Sequence, residues 1–291
     1  MSLKDAFFKL IDIPFRIRNT IKRKLQSRSL FSNYSNLSDS EVTFYESAVK
    51  RIINNEKTFK KFRRLYDYRE ILEHVDYKLG LEYLKKIQVI NSEKLRNFDS
   101  FKANDILGSP RTFNFPRIGE TSATTLRYVA VASEVEEIFR SQKIESIVEI
   151  GGGYGGQALI FEKMSYYIKY SVFDLPDVQL LIKKYLTYFN VRGTSFPDID
   201  SIDSVVSDLV ISNYAFSELP RNLQEKYLER VIKYAKNGYL IMNTGKSNST
   251  GRSDGKLSLD ELREVLPEIQ ILKEYPLTGP DNYLIIWKSK S

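Results

Sequence analysis

The apolar run Ser146–Ile150 ends on a cluster of glycines. Gly151, Gly152, Gly153, Gly155 and Gly156, broken only by Tyr154, precede a helix-like run beginning at Gln157. Glycine tolerates positive φ and lets a ligand approach the backbone closely. A helix that follows directly offers unpaired N–H groups to a negative ligand group. A strand–turn–helix of this kind belongs at the edge of a parallel sheet, where ligands sit beyond the carboxyl ends of the strands.

The chain beyond residue 146 supplies that sheet. Apolar runs at 146–150, 170–175, 208–213 and 238–244 alternate with helical patterns at 156–167, 176–189, 218–237 and 258–267. This alternation predicts a parallel sheet with helices on both faces. Two final runs, 269–275 and 282–288, have only a turn between them and should pair antiparallel. Upstream, residues 31–105 read as helices. Residues 104–125, with Gly108, Pro110, Pro116 and Gly119, read as loop, and 126–141 as a helix leading into the glycines. The expected organisation is a basic arm at 1–30, a helical region with a loop at 31–125, and a ligand-binding α/β domain at 126–291.

Composition excludes several chemistries. With no cysteine and one histidine, His74, the chain has no thiolate zinc site, no cysteine nucleophile and no multi-histidine metal centre. No metal is expected. The net charge of +7 is concentrated: residues 1–28 hold eight basic and two acidic side chains, leaving the rest nearly neutral. That argues against a nucleic-acid groove. The arm places Leu3, Phe7, Leu10, Ile17, Ile21 and Leu25 at helical spacing among its cations, a pattern suited to an anionic membrane surface or to docking on protein. Lys9 and Asp12 interrupt its apolar stretch, so no secretory signal is expected. No uncharged apolar run reaches 18 residues, and the expected location is cytoplasmic, with peripheral contact to the inner membrane face through residues 1–28.

Asp174 ends the run after the glycine turn, where a carboxylate can accept both hydroxyls of a ribose. Glu149 stands two residues before Gly151, placed to meet a cationic amine. Gly151-x-Gly153-x-x-Gly156 also satisfies the dinucleotide fingerprint. None of the 19 tyrosines, however, has a lysine four residues later, so the Tyr-x-x-x-Lys pair of short-chain dehydrogenases is missing. S-adenosylmethionine, which carries an α-amino group, fits Glu149 better than NAD does. An NAD(P)-dependent oxidoreductase and a non-catalytic interaction protein remain alternatives.

The segments "VEIGGGYGG", "VFDLPDV" and "DLVISNYAFSEL" resemble the first, second and fourth-strand motifs of class I, Rossmann-like S-adenosylmethionine-dependent methyltransferases. Together with "ILGSP" and "SATTLRY" they are similar to bacterial sugar O-methyltransferases of surface-polysaccharide gene clusters, over roughly residues 104–288. The resemblance implies an α/β fold with a seven-stranded, mostly parallel sheet whose last strand is antiparallel. It implies a sugar hydroxyl of a glycan, or of a nucleotide- or lipid-linked precursor, as acceptor, with a homo-oligomer as a further option. Gly151, Gly153 and Gly155 would underlie the methionine moiety, with Glu149 at its amine. Asp174 would hold the ribose and Leu175 the adenine, with Asp198 near the adenine amine. Tyr154 would cover the cofactor and Gln157 hydrogen-bond it. Asn213 and Tyr214 would border the methyl, and Arg127 would reach the methionine carboxylate. Glu218, His74 and Asp281 are the candidates for a catalytic base. The segments 108–127 and 275–287 are the expected acceptor lid.

Overall fold

The computed structural model describes residues 47–66, 68, 69, 73, 75–243, 256–266, 268–280 and 282–289, all within one compact unit spanning Phe44–Ser291. The basic arm, His74 and Asp281 lie outside the described residues. No helix among the described residues is long and apolar enough to cross a membrane.

Ahead of the sheet, α1 (Tyr77–Ile90) starts where the Asp76 side chain accepts the Leu79 N–H at 2.8 Å. Instead of the expected loop, residues 104–125 hold a hairpin, β1 (Thr112–Phe115) with β2 (Gly119–Ser122), antiparallel around a turn at 116–118. Proline and glycine mark that turn rather than an unstructured segment. Ser122 then caps α2 (Ala123–Ile138) by accepting the Thr125 N–H, so this helix begins three residues before the expected boundary at 126.

The sheet has seven strands: β3 (Ser146–Ile150), β4 (Lys169–Phe173), β5 (Thr194–Ser195), β6 (Ser207–Asn213), β7 (Ala235–Met242), β8 (Gln270–Lys273) and β9 (Tyr283–Trp287). Their order is β5-β4-β3-β6-β7-β9-β8, and only β9 runs antiparallel to the rest. This is the expected Rossmann-like arrangement. The connecting helices are α3 (Gly156–Lys163), α4 (Pro176–Tyr188), α5 (Ala215–Glu218), α6 (Arg221–Arg230) and α7 (Leu259–Val265). The helix expected over 218–237 is broken at Leu219–Pro220 and ends at Arg230, because Ala235–Asn237 pair with β6 as the start of β7.

Strand residues alternate between two cores, as the period of two requires. Ile147, Tyr170, Val172, Leu209, Ile211 and Tyr239 face one side, with α1 to α4. Val148, Ile150, Phe173, Val210, Leu240 and Trp287 face the other, with α6 and α7. The first core also receives the residues before the hairpin, and a buried charge locks them in. Arg63 pairs with Glu73 and Asp105, donates to the Asn104 carbonyl at 2.6 Å and to Ser122 Oγ at 3.1 Å. Asn104 in turn donates to Tyr154 of the glycine turn at 3.0 Å and accepts from Tyr185 of α4 at 2.8 Å. Residues before 126 and after it therefore share one interior.

In β7, Gly238 stands opposite Trp287 of β9, and a Cβ there would lie 2.0 Å from the indole ring. The indole is fixed by its N–H bond to the Ala235 carbonyl. Gly238→Ala should therefore cost at least about 1–3 kcal/mol through overpacking. Denaturant unfolding checks this; an unchanged midpoint and slope would contradict the packing described.

Candidate active site

The glycine turn leaves β3 with φ of +81° at Gly151, +61° at Gly153 and +92° at Gly155. A Cβ on Gly151 would stand 2.1 Å from the Ala215 Cβ, so this turn and the turn after β6 touch. Asp174, at the end of β4, binds the turn directly. One carboxylate oxygen accepts the N–H groups of Gly152 (2.8 Å) and Gly153 (3.3 Å), and the other accepts that of Leu175 (2.8 Å). A carboxylate has about four acceptor positions, so one remains for a ligand. Burial pushes the Asp174 carboxyl up to about 6, against the pull of its three N–H donors.

Glu149 is buried under the same turn, its Oε2 3.6 Å from where a Gly152 Cβ would be, and accepts the Tyr170 hydroxyl at 2.9 Å. Burial raises its carboxyl to about 8; the Tyr170 bond opposes this and nearby Asp174 adds to it. Around neutral pH it is a protonated acid, not the standing carboxylate that the sequence suggested. Arg127, in the first turns of α2, is 7% exposed and makes no salt bridge among the described residues. Its guanidinium lies 5.1 Å from the Tyr128 ring centroid.

The strand ends bring Asn213 and Tyr214 to one cavity with Arg127. Asn213 Oδ1 is buried there without a hydrogen-bond partner. Tyr214 sits at φ +74°, uncommon for a tyrosine and strained. Leu175 packs at the margin of the first core. Gln157 is buried, donates to the Tyr128 carbonyl at 3.1 Å, and leaves its Oε1 unpaired.

Three of the expected site residues are engaged within the protein itself. Tyr154 does not lie open over the turn: its ring is fully buried among Phe62, Tyr128 and Tyr185, with Arg63 4.9 Å from its centroid. An aromatic ring between α/β core and helices gains more from that burial than from solvent-facing display. Asp198 is exposed, and its two oxygens accept from Asp200 N and Ser201 Oγ, closing its own turn. Glu218 is exposed at the end of the four-residue α5, accepts from the Asn243 amide, and does not line the cavity.

Two carboxylates do line it, Glu134 of α2 and Glu274 between β8 and β9, and the sequence reading singled out neither. Glu274 is 6% exposed and accepts from the Tyr214 hydroxyl and from Thr278, whose N–H donates at 2.9 Å. Tyr83 and Lys86 of α1 complete that wall. Glu274 ends an apolar run beside the segment expected as a lid, the same cue that drew attention to Asp174. Among the described residues no group of three or more acidic or histidine side chains is placed to hold a metal.

The chain matches no protein-family model and no curated protein. Among solved structures it is similar to the N-terminal domain of EvdMO1, crystallised in the presence of SAH and D-fucose (14% identity, TM-score 0.45, 68% of this chain and 97% of that one). It is also similar to the N-methyltransferase NodS from Bradyrhizobium japonicum WM9 (12%, 0.40, 55% and 92%) and to the methyltransferase domain of bacterial-CtHen1-CN (12%, 0.41, 56% and 97%). Likenesses this distant say nothing of activity, which has to be read from the site.

The raised Glu149 carboxyl makes a pH signature. The folded state holds its proton more tightly than the unfolded chain, so stability falls as pH rises from about 4.5 to about 8. Glu149→Gln should remove this loss, its advantage over wild type growing by up to about 1.4 kcal/mol per pH unit in that window. Melting or denaturation curves across the window check this; a constant offset would refute a buried neutral acid.

Proposed function

We propose that the protein transfers a methyl group from S-adenosylmethionine to a hydroxyl, and that the acceptor is a sugar of a bacterial surface polysaccharide or its precursor. One observation carries the cofactor part. Among the described residues, Arg127, at the cavity behind the strand ends, is a buried guanidinium with no salt bridge, and Glu149, under the glycine turn, is a buried carboxyl with none. An unpaired guanidinium in the interior is costly, and Glu149 avoids the same cost by holding its proton. An α-amino acid carries the complement of both; a pyrophosphate answers only the arginine. The remaining acceptor position on Asp174 suits a ribose hydroxyl, a charge-assisted bond that typically contributes about 1.5–3 kcal/mol.

The cofactor, when bound, supplies a sulfonium methyl with a good leaving group. The chain's own residues must align the acceptor and exclude water. Gly151 allows the two turns to close on each other, Asp174 fixes the glycine backbone and ribose together, and Asn213 and Tyr214 border the reacting end. The sugar assignment rests on the motif resemblance. The membrane association suggested by residues 1–28 is a further part of this reading; equal co-sedimentation of the full chain and a Δ1–28 chain with anionic vesicles would remove it.

Calorimetric titration with S-adenosylhomocysteine and with NAD separates the two cofactor readings, since only the former should bind. Asp174→Ala should weaken S-adenosylhomocysteine by about tenfold or more, and Glu218→Ala by less than about threefold. The reverse order would overturn the division between cofactor and other residues. Binding near neutral pH should also release a proton as Glu149 ionises against the amine. Heats measured in buffers of different ionisation enthalpy would report it, and Glu149→Gln should abolish it.

A further inference from the structure

We propose that Glu274 is the group that takes the proton from the acceptor, and that the acceptor is a pyranoside ring seated in the neighbouring groove with one hydroxyl reaching Glu274. The proposal rests on the methyl-transfer reading above.

Two hollows meet at Glu274. The cavity bordered by Arg127, Asn213 and Tyr214 has room for about one water molecule, too little for a sugar ring. The groove beside it holds about 380 Å³ and is lined by Leu79, Glu82, Lys273, Tyr275, Pro276 and Leu277, as well as Glu274. That volume suits a small ligand. Tyr275 is 51% exposed there and Leu277 47%, an apolar platform edged by the charges of Glu82 and Lys273. Glu274 and Tyr275 are common to both hollows, so a ring on the platform presents its hydroxyl to the cavity at Glu274.

The path back to the glycine turn, which would hold the methyl donor, is short in contacts. Gly151 abuts Ala215, Ala215 follows Tyr214, and the Tyr214 hydroxyl donates to Glu274. Tyr214, at φ +74°, sets its hydroxyl on this carboxylate. Thr278 holds the same carboxylate by its N–H and its hydroxyl, at 2.9 Å each. A base oriented by two partners, with an acceptor position to spare, is the usual arrangement for proton abstraction. The rival carboxylate in the cavity, Glu134, is already held by Lys86 and the Tyr239 hydroxyl. In the step itself, the acceptor oxygen bonds to the methyl carbon as the carbon–sulfur bond breaks. The bonding pair leaves on sulfur, and the acceptor proton passes to Glu274, giving a methyl ether, a thioether and a carboxylic acid.

The test uses the full chain, tritiated S-adenosylmethionine and a panel of methyl pyranosides. Wild type should label at least one pyranoside, and saturation-transfer NMR should detect that pyranoside on the protein without donor. Glu274→Gln should lower kcat about 100-fold or more while S-adenosylhomocysteine affinity stays within about threefold. Tyr214→Phe, which removes the Tyr214 bonds to Glu274 and Thr278 but leaves the Thr278–Glu274 bonds, should lower kcat by a smaller factor. Tyr275→Ala should weaken the NMR-detected binding about tenfold and raise KM with little change in kcat. Retention of kcat in Glu274→Gln, or binding indifferent to Tyr275→Ala, overturns the proposal. So does a wild type that binds S-adenosylhomocysteine yet neither holds nor labels any pyranoside. Failure to bind S-adenosylhomocysteine at all instead overturns the methyl-transfer reading.

Discussion

Between Gly151 and Ala215 there is no space for a methyl group. That contact joins the ends of β3 and β6, the two strands at which the chain changes its direction of travel across the sheet. From β3 the chain first goes outward through β4 and β5, then returns to build β6 and β7 on the other side. The crevice at such a reversal is where open α/β sheets bind ligands. Asp174 enters it from β4 and Tyr214 from β6. A side chain at 151 would wedge the two turns apart and separate the residues that they carry.

The electrostatics of the crevice are unbalanced in a directed way. Glu149 is kept neutral by burial, while Arg127 stays charged beside the Tyr128 ring with no salt bridge among the described residues. Glu274, by contrast, is held by a hydroxyl and by a residue of its own loop. Groups already fixed by neighbours need little reorganisation when a ligand arrives, which is the condition for efficient electrostatic work in an interior.

Much of this was legible in the sequence because it depends on local spacing. The glycine cluster, the acid closing the next strand and the strand–turn–strand ending all follow from short-range pattern, and each is found in the fold. The two-residue β5 is too short for any periodicity to announce it. The hairpin at 112–122 was read as loop because Pro116 and Gly119 were counted as breakers, when they mark its turn. Tyr154 and Glu274 show a different limit. Tyr154 stands in the glycine motif, yet what its ring touches is decided by Phe62 and Tyr185, far away in sequence. Glu274 gains its place only because β9 folds back and sets the 274–278 loop against α1. Glu218 drew attention by following the fourth-strand motif, but four residues of helix turn it to solvent.

Arg63 has a bearing on where this protein can be divided. Its guanidinium satisfies two acids, a carbonyl and a hydroxyl within the region expected at 31–125, and through Asn104 it reaches Tyr154 and Tyr185 of the α/β domain. A chain begun at residue 126, at the apparent edge of the α/β domain, would lose the Asn104 amide that both tyrosines bond and the Phe62 ring beside Tyr154. It would also remove the first residues of α2 and its Ser122 cap. The helical layer before the sheet is thus part of the wall of the crevice, and a minimal version of this fold has to begin before Arg63.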